Sequence, residues 1–315
     1  MSDERNLISA GLRIVNRHKR YIFWFWVLNL TLAEFGTAAF RNQMHGMLDQ
    51  SLFADKLLHG FDLAVLFELL TIPETGSIKG STMPAMYFVI LFFVATLLLM
   101  PGVLDGYSSE GRLSREEFFR TCGRNLWRFV RLCLFFAVIA GPIAGVLFGI
   151  KGGLLKATDK STNEMLPFYT NLISSLVIFL IMTAIRIWFD LAQVDVVVRD
   201  QSAVRKSLAA GFRHARRHLL RLLVTYVVIA AVGLLILGIG MWSWYTLVRP
   251  SSVVGAFLIT QVMFILWLWA RFWQRAAAVA YYLRETAVVV PVVAPEPIPV
   301  QPPAPLAPPP EGTAA

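Results

Sequence analysis

The chain has 315 residues, 57% of them hydrophobic and 16% charged, with a net charge of +9. An ordinary soluble domain holds roughly 25% charged residues, so this composition excludes a simple water-soluble fold. A mean hydropathy of +0.61 agrees. In a soluble protein such a basic balance would point to nucleic acid. In so apolar a chain, Lys and Arg held on cytoplasmic loops account for it first, and no nucleic-acid partner is expected.

Residues 1–20 place Ile8, Leu12 and Val15 at near-helical spacing, with Arg13, Arg17, Lys19 and Arg20 around them. This pattern predicts a short amphipathic helix on the anionic inner leaflet. A first span is expected over 21–40, since roughly 20 residues cover the hydrocarbon core. Trp24 and Trp26 at its start suit an interfacial aromatic belt. SLFADKLLHGFDLAVLFELL (51–70) reads as an amphipathic external helix, too often interrupted by charge to be a span.

Further spans are expected over 84–101, 126–150, 168–191, 219–245 and 254–282. The third carries Ala137, Gly141, Gly145 and Gly149 at every fourth position, a spacing that lets two helix backbones approach closely. Within one chain or between two copies, this face is expected to pack. Residues 288–315 hold ten of the sixteen prolines and read as an extended or disordered tail. Cys122 and Cys133 form no disulfide framework. The fold class expected is an all-α integral membrane protein with six transmembrane helices and basic amphipathic surface helices.

With the N-terminus inside, 21 Lys and Arg fall on cytoplasmic segments and seven on external ones, which predicts both termini cytoplasmic. Two basic segments then share one face. The first includes Arg112, Arg115, Arg120 and Arg124, and the second Arg205, Lys206, Arg213, Arg216 and Arg217. An offset of 93 pairs Phe119 with Phe212, Arg120 with Arg213, Arg124 with Arg217 and Arg128 with Arg221, a weak parallel repeat. Such segments bind anionic lipid or a protein partner, or serve only as topology anchors.

His214 and His218 stand four apart but lack the Glu of a zinc-protease motif, and Arg216 and Arg217 between them repel a cation. No metal site, cofactor or catalytic residue is expected, and the chain reads as non-enzymatic. Glu34 lies inside the first span, and Arg186 and Asp190 form a self-neutralising pair near the inner end of the fourth. A buried ionisable residue in a membrane invites a functional role. The alternative function is therefore a small transporter or channel subunit using Glu34.

EEFFRTCGRNLWRFVRL (116–132) and VDVVVRDQSAVRKSLAAGFRHARRHL (194–219) resemble a group of bacterial polytopic membrane proteins of unknown function. The second stretch is also similar to the segment after a span in membrane domains attached to some glycerophosphodiester phosphodiesterases. The resemblance implies a helical protein of the bacterial inner membrane and supplies no activity.

Overall fold

The computed structural model describes residues 6–48, 78–109, 111, 113–159, 165–248 and 252–287. Among these residues every regular element is helical. The helices are α1 (Leu7–Arg17), α2 (Arg20–Leu48), α3 (Ile78–Ser108), α4 (Arg115–Thr158), α5 (Met165–Val198), α6 (Val204–Arg217), α7 (Leu219–Leu247) and α8 (Val253–Ala287). The expected external helix over 51–70, Arg112 and the proline-rich tail lie outside the described residues.

Five helices are long and apolar enough to cross a bilayer: α3, α4, α5, α7 and α8. The protein is therefore a multi-helix membrane protein. α2 is not among the five, its apolar run being interrupted by Asn29 and Glu34. α4 has 44 residues, about 66 Å at 1.5 Å per residue, against a hydrocarbon core of about 30 Å. Its first turns are the basic segment Arg115–Arg131, continuous with the apolar stretch. Ser114 starts this helix through a capping box, accepting from the Glu117 N–H while the Glu117 carboxylate accepts from the Ser114 N–H.

The core sits at the basic end of the bundle. It joins Leu7 and Val15 of α1, Tyr21, Ile22 and Phe25 of α2, Met100–Leu104 of α3, Phe129 and Leu132 of α4, Ile187–Val197 of α5, Leu222–Ile229 of α7 and Phe272–Tyr282 of α8. On α4, α5, α7 and α8 the last buried residues toward the other end are Ala140, Ile178, Gly233 and Leu268. Beyond them the side chains are exposed or half-buried, as a lipid-facing surface requires.

The amphipathic helices turn their small residues to protein. In α6, Val204, Ser207, Ala210, Gly211 and Ala215 are buried, and a Cβ on Gly211 would stand 2.8 Å from the Ala192 nitrogen of α5. α1 lies against α8 in the same manner: a Cβ on Gly11 would stand 2.9 Å from the Ala277 nitrogen. Protein covers the small-residue side of both helices, because a glycine lets two backbones meet where a larger residue would hold them apart, while Phe212 of α6 stays exposed.

Two further contacts recur at these corners. Trp188 Nε1 donates to the Leu208 carbonyl at 2.8 Å, and Trp273 Nε1 donates to the Ile8 carbonyl at 2.8 Å. α1 and α6 each end at a non-helical histidine, His18 (φ −115°, ψ 38°) and His218 (φ −133°, ψ 37°), from which the next helix starts. At α4 the residue in line with His218 at the 93-residue offset is Asn125, which stays helical and donates to the Thr121 carbonyl at 3.2 Å.

Among the described residues, the small-residue row on α4 packs against nothing. No described atom lies within 4 Å of a Cβ placed on Gly141, Gly145 or Gly149, and Ala137 is exposed. At 100° per residue the row falls on the face opposite Phe129, Leu132 and Ala140, which carry the contacts.

Candidate functional site

The basic residues gather on one end of the bundle, and ion pairing divides them. Arg120 pairs with Glu116 one turn back, Arg217 with Glu285 of α8 at 3.1 Å, and Arg124 with Asp200 at 3.5 Å. Arg128 reaches the same Asp200 carboxylate. Asp200 sits at φ 49°, in the left-handed region that Asp tolerates better than most residues. Arg128, hydrogen bonded to it, holds its carboxyl below the usual range, with burial opposing and the Arg124 charge adding. This clamp ties the α5–α6 turn to α4. Arg115, Arg205, Lys206, Arg213 and Arg216 are exposed and make no ion pair among the described residues.

Arg213, Arg216 and Arg217 line a hollow of about 620 Å³ with Arg199, His214 and Phe212. Two of its four guanidiniums have acidic neighbours, Glu285 for Arg217 and Asp195 for Arg199 at 3.6 Å. Burial is the main cause that lowers the His214 pKa; the Glu285 charge opposes it and the Arg199 charge adds. The ring is therefore neutral at neutral pH, and the cationic character of the hollow comes from the arginines. His214 and His218 turn to aromatic neighbours rather than to each other: His214 meets Tyr282 edge-on at 5.6 Å and His218 meets Tyr281 at 6.1 Å.

Around the hollow and along the same end, large apolar side chains are exposed beside the cations. Phe119, Trp127, Phe212 and Leu220 belong to this rim, and Arg131 lies over the Trp127 ring at 5.5 Å. Cations interleaved with exposed aromatics match the chemistry of a headgroup layer, where charge and ring edge both find partners.

Deeper in the bundle lies a polar cluster of which Arg186 and Asp190 are only a part. Their ion pair measures 3.6 Å. Asp190 also accepts from the Tyr226 hydroxyl of α7 at 2.8 Å, and Gln274 of α8 donates to the Tyr226 carbonyl at 3.2 Å. Arg275 stands beside Met100 of α3, with Nη1 2.7 Å from the sulfur. Nearer the basic end, Asp105 accepts from Thr121 at 2.8 Å, and Asp195 accepts from the buried Tyr282 hydroxyl.

Sequence reasoning placed Arg186 and Asp190 together and missed Tyr226, Asp195, Tyr282 and Arg275. For Arg275 a signal was available. Arg186-Ile-Trp188-Phe-Asp190-Leu-Ala192 and Arg271-Phe-Trp273-Gln-Arg275-Ala-Ala277 share Arg, Trp and Ala at the same spacing. Likewise AGLRIVNRH (10–18) matches AGFRHARRH (210–218). Glu34 is exposed on α2, away from this cluster.

Compared with protein-family models, curated proteins and solved structures, the chain finds no match in any of the three.

Proposed function

We propose that the chain is a six-span protein of a bacterial inner membrane, with both termini cytoplasmic, that binds anionic lipid headgroups through its basic end. The hollow on α6 carries this reading, because exposed Arg213 and Arg216 face it with no carboxylate paired to them among the described residues. A phosphate group supplies the charge and the paired oxygens that guanidinium forks engage. The role is non-enzymatic.

α2 supplies the sixth span. Trp26 Nε1 donates to Gln261 of α8 at 2.9 Å, and a Cβ on Gly36 would lie 3.2 Å from Phe88 of α3. These contacts hold α2 alongside two apolar helices well past its basic end. The recurring corner contacts favour a repeated unit of span, basic helix and span. We count three units: α3–α4, α5–α6–α7, and α8 with α1–α2, the last joining the two ends of the chain.

The test uses the full chain in detergent, with native mass spectrometry counting retained phosphatidylglycerol against phosphatidylcholine. Wild type is expected to keep phosphatidylglycerol selectively. Each cation near an anionic surface contributes about 1 kcal/mol, so R213Q/R216Q should weaken retention roughly ten-fold or more. Equal retention of the two lipids by wild type would overturn the reading.

A further inference from the structure

α5 and α8 hold matching positions in the fold, fixed by the Trp188 and Trp273 bonds to their respective amphipathic helices. By this register Arg186 corresponds to Arg271, and Asp190 to Arg275. In α5 the carboxylate one turn on answers its arginine at 3.6 Å. In α8 the same position is a second guanidinium, so Arg271 and Arg275 stand one turn apart with like charge.

The two pairs share one neighbourhood: Gln274, next to Arg275, donates to the Tyr226 carbonyl, and the Tyr226 hydroxyl donates to Asp190. The Asp190 and Arg186 charges reach both Arg271 and Arg275. Among the described residues, three guanidiniums therefore share one carboxylate, which the Tyr226 hydroxyl already occupies in part. Arg275 otherwise meets the Met100 sulfur and the Phe272 ring, and Arg271 lies over the Trp267 ring at 4.7 Å. The buried Arg275 Nε and the buried Tyr107 hydroxyl have no hydrogen-bond partner among the described residues.

Uncompensated cations and idle buried donors are costly in an apolar setting unless an anion joins them. The cluster is not sealed: the Arg186 side chain is 28% exposed, and Arg271 is exposed. We propose that Arg186, Arg271 and Arg275 form a binding site for a phosphate-type oxyanion, either free or on an anionic lipid headgroup. Guanidinium forks suit such an oxyanion better than a spherical ion, since each can offer two parallel N–H bonds. The site is built from α5 and α8, apart from the α6 hollow, and stands whether or not that hollow binds lipid.

The test is thermal unfolding of the full chain, delipidated in neutral detergent. Sodium phosphate is titrated against sodium chloride at equal ionic strength. Short-chain phosphatidylglycerol is titrated separately against phosphatidylcholine. Phosphate, phosphatidylglycerol or both should still stabilise R213Q/R216Q, which lacks the cations of the α6 hollow, and which of them acts there identifies the source. In that background Arg271→Gln should weaken the response about ten-fold. Arg275→Asp recreates in α8 the ion pair of α5, so it should fold without added anion and lose the response. A wild type that answers chloride as it answers phosphate, with no preference for phosphatidylglycerol, overturns the site. So does an Arg271→Gln protein that responds like its R213Q/R216Q parent.

Discussion

At the α5–α6 corner, the tryptophan bond joins residues 20 positions apart, across one short turn. At the α8–α1 corner, the same bond joins residues 265 positions apart, at opposite ends of the chain. Both corners have the indole on a backbone carbonyl, a glycine at the point of closest approach and an alanine beneath it. Connection along the chain is therefore not what sets this geometry. Backbone proximity and one buried donor set it, and a helix pair that shares those features packs the same way whether or not a turn joins it. What differs between the corners is charge: Asp190 in one stands where Arg275 stands in the other.

The comparison is broken most severely at the two glycines. A valine at Gly211 would drive carbon into the Ala192 backbone, and one at Gly11 into the Ala277 backbone. Backbone cannot swing aside as a side-chain tip can, so overpacking here should cost about 3 kcal/mol or more. Gly211→Val and Gly11→Val are expected to lower the unfolding midpoint by similar amounts, measured in detergent. Gly102→Ala should cost less, about 1–2 kcal/mol. Its new carbon meets the Phe118 ring and the Cys122 sulfur, both side-chain atoms. If Gly11→Val were harmless while Gly211→Val unfolded the chain, the corners would not be equivalent.

A smaller effect is expected at the buried hydroxyls that hold acids. Tyr226 donates to Asp190 and Tyr282 to Asp195, each acid lying on α5. A hydrogen bond to a charged acceptor contributes about 1.5–3 kcal/mol. Tyr226→Phe and Tyr282→Phe should each destabilise by that amount in equilibrium unfolding, with the ring contacts kept. Because Asp190 also answers Arg186, its loss of one donor leaves a partner in place. Tyr282→Phe likewise leaves Asp195 only the Arg199 contact at 3.6 Å. Loss well below 1 kcal/mol in both would mean that water replaces the hydroxyl.

Much of the architecture was legible because hydropathy writes it in long runs: five apolar helices coincide with expected spans, and the basic segments flank them. The pairing of helices was less legible. An offset of 93 residues aligns the segments at Phe119 and Phe212 but hides that α1 is the nearer copy of α6, since the two lie at opposite ends of the chain. Gly141, Gly145 and Gly149 carry the small-residue spacing, yet no described atom lies within 4 Å of a Cβ on them, whereas Gly11 and Gly211, outside that spacing, make the close approaches. Spacing alone does not say which face of a helix is covered. A glycine flanked by an amphipathic pattern at the start of a span is a better sign of close approach than glycines deep in one, where small residues are common anyway. The acids held by tyrosines were invisible for another reason: Asp190–Tyr226 and Asp195–Tyr282 join positions with no sequence relation.

The finest test of the comparison is the pair of histidines at the helix breaks. His18 is buried, with its Nδ1–H on the Ile14 carbonyl at 3.0 Å and its ring stacked on Tyr21. Its matching residue His218 is exposed. Burial first, with the Arg17 and Arg20 charges adding, lowers the His18 pKa below its ordinary 6.5. The unfolded chain thus takes up the proton before the folded one. Stability is complete above pH of about 6.5 and declines as pH falls below it, by at most about 1.4 kcal/mol per pH unit for one proton. Unfolding midpoints of His18→Gln should flatten across that window relative to wild type. An unchanged slope in His18→Gln would place the acid sensitivity elsewhere.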